Sequence, residues 1–156
     1  MAEEEQSLIT DEHRALIGVP GEPSTVVVRE ADAKRMRDVL GDTDPRWADG
    51  TGMAPPYVIA FFGGRGGGGR GTPQLLPGAI LTQQEWKFSR PFKIGEELKA
   101  VGQVFDIRER LGGRYGHSVL VTTSTDYYDA QGQHVAASLL TITQFDPARA
   151  GRGGNE

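Results

Sequence analysis

Two carboxylates stand close together in Gly41-Asp-Thr-Asp-Pro-Arg-Trp47, and the chain has 3 histidines, at His13, His117 and His134. Carboxylate and imidazole are side chains that commonly move protons in a site. The Asp-Pro step and the glycine before it make 41–47 a turn rather than the interior of an element. Taken alone, it reads as a loop in which Asp42 or Asp44 bonds nearby backbone N–H groups. His13 falls in a short surface helix, and His117 and His134 each stand at a strand start beside a turn. Gly63-Gly-Arg-Gly-Gly-Gly-Gly-Arg-Gly71 lacks the Gly-Lys-Ser/Thr ending of a phosphate-cradling loop, so a nucleotide site is not expected. It reads as a mobile surface loop whose Arg65 and Arg70 could touch phosphates. With Cys 0 there is no disulfide framework and no thiolate metal site, and no metal is expected.

The elements that must position these residues belong to a chain of 156 residues, enough for one domain with a real core. A formal net charge of -4 argues against nucleic acid or an anionic membrane as partner. The opening Met1-Ala-Glu-Glu-Glu-Gln6 is acidic where a signal peptide is basic and then apolar. No apolar run approaches the ~20 residues that cross a bilayer. These features predict a cytoplasmic domain over 10–145, preceded by an acidic segment (1–9), interrupted by a Gly-rich loop (63–73) and followed by a disordered tail (146–156).

Thr10 is placed to cap a short helix that Gly18 and Pro20 stop. Ser24 to Arg29 reads as a strand buried on both faces. Glu30 to Leu40 reads as an amphipathic helix with Ala33, Met36, Val39 and Leu40 inward and Lys34, Arg35, Arg37 and Asp38 outward, ended by Gly41. Met53-Ala-Pro-Pro-Tyr-Val-Ile-Ala-Phe-Phe-Gly63 has no polar face. Its β-branched and aromatic residues would suit a buried strand, but prolines are tolerated in the first turn of a helix and the long strands downstream need something to wrap around, which favours a buried helix. Strand signals then fill the second half: Leu81 to Phe88, Glu97 to Arg110, Tyr115 to Tyr128 and His134 to Phe145. Turns stand at Arg90–Gly95, Leu111–Arg114 and Asp129–Gly132. One strand, a helical insertion and an antiparallel meander around one apolar helix describe an α+β hot-dog fold, a long curled sheet wrapped around a central helix.

Several motifs sharpen this. Ile17-Gly18, Gly41-Asp-Thr-Asp-Pro45, Ala54-Pro-Pro56, Gln84-Glu85, Phe88-Ser-Arg-Pro91 with Gly95-Glu96, and Asp129 to Gly132 come in the order and spacing of one family. The chain resembles the MaoC-like hydratase/dehydratase superfamily, most closely the N-terminal, FAS1-like dehydratase half of its two-domain members. The resemblance covers roughly Leu16 to Phe145.

The resemblance implies reversible addition of water to a 2-enoyl thioester carried on coenzyme A or an acyl carrier protein, with no further cofactor. In the family an Asp and a His of a Gly-Asp-x-Asn-Pro-(apolar)-His stretch handle the water and the proton, and backbone N–H groups at the central helix bind the thioester oxygen. Carried over, Gly41, Asp42 and Pro45 match, which makes Asp42 the candidate catalytic residue. Asp44 replaces the Asn, and Trp47, without acid or base, stands at the His position. Pro55 and Pro56 fall where the family reads Ala-His-Gly and remove two N–H donors. His117 or His134 are the remaining candidates for a base. The resemblance therefore implies an accessory half, paired with a subunit carrying the intact motif, in which Trp47, Pro55, Pro56, Tyr57, Arg65 and Arg70 contact substrate. A self-sufficient homodimeric hydratase using Asp42 and a thioester-binding protein without turnover are the alternatives.

Overall fold

The four long strands fall where the sequence predicts them, one of them beginning at Gly78 rather than Leu81 and another at Ser118 rather than Tyr115. In the computed structural model, which describes residues 6–62 and 71–150, the strands are β1 (Ser24–Val27), β2 (Met53–Ala54), β3 (Gly78–Phe88), β4 (Phe92–Lys93), β5 (Glu97–Arg110), β6 (Ser118–Tyr128) and β7 (His134–Phe145). The helices are α1 (Asp11–Ala15) and α2 (Glu30–Leu40), with 3-10 helices over Pro45–Trp47 and Pro56–Phe61. Five strands form one sheet in the order β1-β5-β6-β7-β3, and β2 and β4 form a separate ribbon. Every pairing within the sheet is antiparallel. The curled sheet and its crossing connections are those of a hot-dog fold. Among the described residues no helix is long and apolar enough to cross a membrane.

Cross-strand partners share a face, so the register separates the two sides of the sheet. Leu98, Ala100 and Val104 of β5 lie on the inner side with Val119, Val121 and Tyr127 of β6, and all six are buried. One inner core joins Val58, Ile59 and Phe62, around the second 3-10 helix, to Val26, Leu98 and Tyr127. There the Phe62 ring meets Phe92 and Tyr127 edge-on at 5.3 and 5.4 Å. A second core joins Val104, Ile107, Val119 and Val121 to Ile9. Each fully buried Leu or Val contributes about 1.5–3 kcal/mol, so the interior of the fold rests on the length of β5 and β6.

The proline-opened run folds as β2 followed by a six-residue 3-10 helix. Pro55 stands at its N-cap and Pro56 begins it, which fits prolines being tolerated only at the first turn. Ala60 faces out and Val58, Ile59 and Phe62 face in, so the run does have an outward side. Strand β1 is buried on one face only: Val26 is buried, whereas Thr25 and Val27, which point the other way, are exposed. In α2 only Ala33 is buried, whereas Val39 and Leu40 are 74% and 57% exposed. Arg37, expected to face water, is instead tucked under and bonds Asp49 at 3.1 Å. The helix ends as expected, on Gly41 at φ 63°, a left-handed conformation that favours glycine.

Buried polar side chains tie the loops to the sheet. Gln144 on β7, buried, accepts from the N–H groups of Leu75 (2.6 Å) and Leu76 (3.1 Å) and donates to the carbonyl of Pro73 (2.7 Å). Glu109 accepts from Ser7 Oγ at 2.8 Å and from the Leu8 N–H, which fastens the segment before α1 across the sheet. Arg90 reaches both Glu96 and Asp129, while Glu96 also accepts from the Lys93 N–H at 3.0 Å. Asp129 accepts from the N–H groups of Gln131 and Gln133 at 3.0 and 2.9 Å. Three motif pieces of the sequence, the Ser-Arg-Pro corner, Gly95-Glu96 and the Asp129 turn, are thus one ionic knot. The segment expected to be a tail starts with a turn over 146–150, closed by the Arg149 and Ala150 N–H groups on the Asp146 carbonyl at 3.0 and 3.1 Å; residues 151–156 lie outside the described part.

Candidate functional site

The loop between α2 and β2 holds Asp42 from both sides. Its backbone N–H donates to the Arg37 carbonyl at 2.9 Å as the helix unwinds. Oδ1 accepts from the Asp44 N–H at 2.9 Å, and Oδ2 accepts from the Tyr57 hydroxyl at 2.5 Å. The Tyr57 hydroxyl first, then the Asp44 N–H, hold the Asp42 carboxyl below the usual carboxylate range. Burial, followed by the same bond, pushes the Tyr57 hydroxyl up to about 12. Tyr57 is therefore a donor fixed on a charged acceptor, and the pair joins the end of α2 to the start of the second 3-10 helix.

Asp44 does not face the same group. Its Oδ1 accepts from the Arg46 N–H at 2.9 Å, capping the first 3-10 helix, and its Oδ2 takes the Arg46 guanidinium at 2.5 Å. That guanidinium lies 4.9 Å from the centre of the Trp47 ring. Trp47 is buried, 9% exposed, and lines a cavity of about 20 Å³ with Ala33, Arg37, Met53 and Ile94. That is room for about one water, so Trp47 serves as a wall of the domain. Pro55 is fully buried, and its carbonyl accepts the Val58 N–H at 3.1 Å. With no N–H on Pro55 or Pro56 and the Val58 N–H engaged, the helix start has Tyr57 as its leading backbone donor.

The remaining candidates lie elsewhere. His117 bonds Glu109 at 3.1 Å at the β5–β6 end of the sheet. His134 is exposed and bonds Asp126 at 2.7 Å. His13 closes a capping box with Thr10. Arg65 and Arg70 lie outside the described residues. The structure thus brings Asp42, Tyr57 and Trp47 to one region, and among the described residues no imidazole hydrogen-bonds Asp42.

One feature was not legible in the motifs. Between the two cores the inner face is only half covered: Thr123, Leu140 and Ile142 are partly exposed, and Leu81 on β3 is 53% exposed. The pairs Thr123↔Leu140 and Leu81↔Ile142 put these on one side. They form an apolar strip that opens at the free edge of β3, a strand exposed over nearly its whole length. Strict alternation of Leu140 and Ile142 with threonines was the available signal.

The profile of the FAS1-like dehydratase domain region matches residues 15–138. The chain belongs to that family. Its fold is similar to that of the ChsH1-ChsH2 complex from Mycobacterium tuberculosis (TM-score 0.65, 21% identity, 83% of this chain and 90% of the other). It is similar also to the R-hydratase PhaJ1 from Pseudomonas aeruginosa (0.56, 20%, 83% and 82%). A third likeness is to the HadBC 3R-hydroxyacyl-ACP dehydratase complex from Mycobacterium tuberculosis (0.58, 17%, 82% and 96%). No curated protein matches the chain in sequence. The family match together with these neighbours identifies a member of the MaoC-like hot-dog superfamily, the hydratase and dehydratase group.

Proposed function

We propose that this chain is the non-catalytic half of an enoyl-thioester hydratase or 3-hydroxyacyl-thioester dehydratase. The observation that carries the reading is the state of the Asp42 loop. A general base works best with an affinity for protons near the operating pH and within reach of the water it activates. Asp42 has the opposite character: both oxygens are engaged and its carboxyl is held in the charged form. Trp47, at the position where the family resemblance expects an imidazole, is a buried wall.

In the reaction, water adds its oxygen to C3 of the enoyl thioester and a proton reaches C2. The base that takes the water proton and the donors that hold the thioester oxygen come, in this reading, from a catalytic partner. This chain supplies the apolar strip around Leu81, Leu140 and Ile142 for the acyl group and the free edge of β3 for pairing, since an exposed edge is a template for another strand. That two of the similar structures are complexes of two named chains supports assembly with a partner subunit. The thioester is expected to be carried on coenzyme A or an acyl carrier protein.

Light scattering on the chain mixed with a hot-dog subunit bearing Gly-Asp-x-Asn-Pro-x-His tests the assembly. A stable hetero-oligomer is expected, and Leu81→Lys on the β3 edge should weaken it. A chain that remains apart from every such subunit contradicts the reading.

A further inference from the structure

The face of the sheet opposite the cores carries a second hollow. Beneath the β5–β6 hairpin lies a cavity of about 320 Å³, lined among others by Arg110, Arg114, Tyr115 and Ser118. It continues into one of about 270 Å³ over Phe105, Leu120 and Leu139. Gln83, Leu120 and Thr141 line both. Their volume is in the range of pockets that take small organic ligands. The floor hydroxyls are already matched: Thr82 bonds Thr143 at 2.9 Å and Thr122 bonds Thr141 at 2.8 Å. Asp106 and Arg108 bond each other on the rim.

That leaves two cations. Neither Arg110 nor Arg114 has a carboxylate partner among the described residues. The hairpin positions both. A guanidinium nitrogen of Arg110 lies 3.9 Å from where a Cβ on Gly113 would stand. The Arg114 guanidinium sits 5.8 Å from the Tyr115 ring centre, and that ring in turn packs on Phe145 at 4.6 Å. The groove is therefore cationic and aromatic at the hairpin end and apolar at the other, where Phe105 is 52% exposed.

We propose that this groove binds a small anionic amphiphile, its carboxylate or phosphate held by Arg110 and Arg114 and its alkyl body laid over Leu120, Leu139 and Phe105. It lies on the opposite side of the sheet from the strip around Leu140 and Ile142, so it is a site separate from the proposed acyl surface. A planar guanidinium pair suits an oxyanion, and the apolar floor rewards a chain over a bare ion.

Titration calorimetry of the full chain with decanoate and with decyl phosphate tests it, and the tighter of the two identifies the head group. One saturable site per chain is expected. Arg110→Ala/Arg114→Ala should weaken both ligands by about ten-fold or more, as loss of charge-assisted bonds does. Phe105→Ser should weaken decanoate more than hexanoate. All three side chains are at the surface, so the fold tolerates the changes, and an unaltered melting temperature checks this. Unsaturable binding, or affinities unchanged in the arginine double variant, overturns the proposal. So does protection of 105–120 from amide exchange by self-association alone, which would make the face an interface.

Discussion

Replacing Arg90 by alanine cuts the knot that joins the β3–β4 corner, the turn before β5 and the β6–β7 hairpin. Glu96 is the partner left most exposed to the change: its side chain is 12% accessible and takes the Arg90 guanidinium on both oxygens. Removing one member of a buried pair costs about 3–5 kcal/mol. The Arg90 side chain is 31% accessible and Glu96 keeps the Lys93 N–H, so water relieves part of the loss. About half, ~2 kcal/mol, is the expected cost, which lowers the melting temperature of a domain of this size by about 4–8 °C. Arg90→Lys restores the charge without the fork and should recover less than half. The pH dependence gives an independent check. Burial pushes the Glu96 carboxyl up, but Arg90 and the Lys93 N–H outweigh it and leave it below 4.5. A carboxylate lowered in the folded state contributes stability above its unfolded value and loses it as pH falls through the folded one. The gap between wild type and Arg90→Ala, read by thermal melts in circular dichroism, should therefore be full at neutral pH and close as pH falls below 4.5. A shift within about 1 °C, or a gap that persists in acid, refutes the reasoning.

Three further outcomes follow from the geometry. Tyr57→Phe removes the donor on Asp42 Oδ2, so the Asp42 carboxyl, followed by carbon-detected NMR titration, should move up toward its ordinary range; no movement would mean the bond does not hold it. Gln144→Ala deletes three bonds to the backbone of 73–76 and should cost about 2–3 kcal/mol at about 1 kcal/mol per bond, with amide exchange at Leu75 and Leu76 accelerating first. Val39→Ser with Leu40→Ser should stay within about 0.5 kcal/mol of wild type in chemical denaturation, because both side chains face water.

Strands β5 and β7 have the bounds that the sequence predicts, because glycine turns close the one and open the other. The alternation of β7 also set its faces, whereas the bulge of β5 between Val104 and Asp106 was not legible. The bounds of α2 were equally plain, from Gly41 at its end. Its inward face was not, since Val39 and Leu40 satisfy the helical period yet are exposed, and Ala33 is the residue of the helix that is buried. Contacts across long separations were also hidden. Nothing local in Gln144 distinguishes a strand residue facing water from one that binds a neighbouring segment's backbone. Arg90 and Asp129 are motif residues whose meeting depends on how the curled sheet brings the β3–β4 corner to the β6–β7 turn. At the candidate site, the absence of a histidine at Trp47 could be read directly, and so could the loss of N–H donors at Pro55 and Pro56. The bond from Tyr57 to Asp42 could not, because it depends on how a 3-10 turn rather than an α-helix aims the ring.

The most direct test of the account is the loss of conjugated-thioester absorbance when the purified chain meets an enoyl-coenzyme A. With the Asp42 loop locked and Trp47 in place of a base, the chain alone should show no turnover above the uncatalysed rate, and turnover should appear when a subunit with the intact Asp and His motif is added. Robust hydration by this chain alone, abolished by Asp42→Asn, would contradict the account and make Asp42 the catalytic residue of a self-sufficient enzyme.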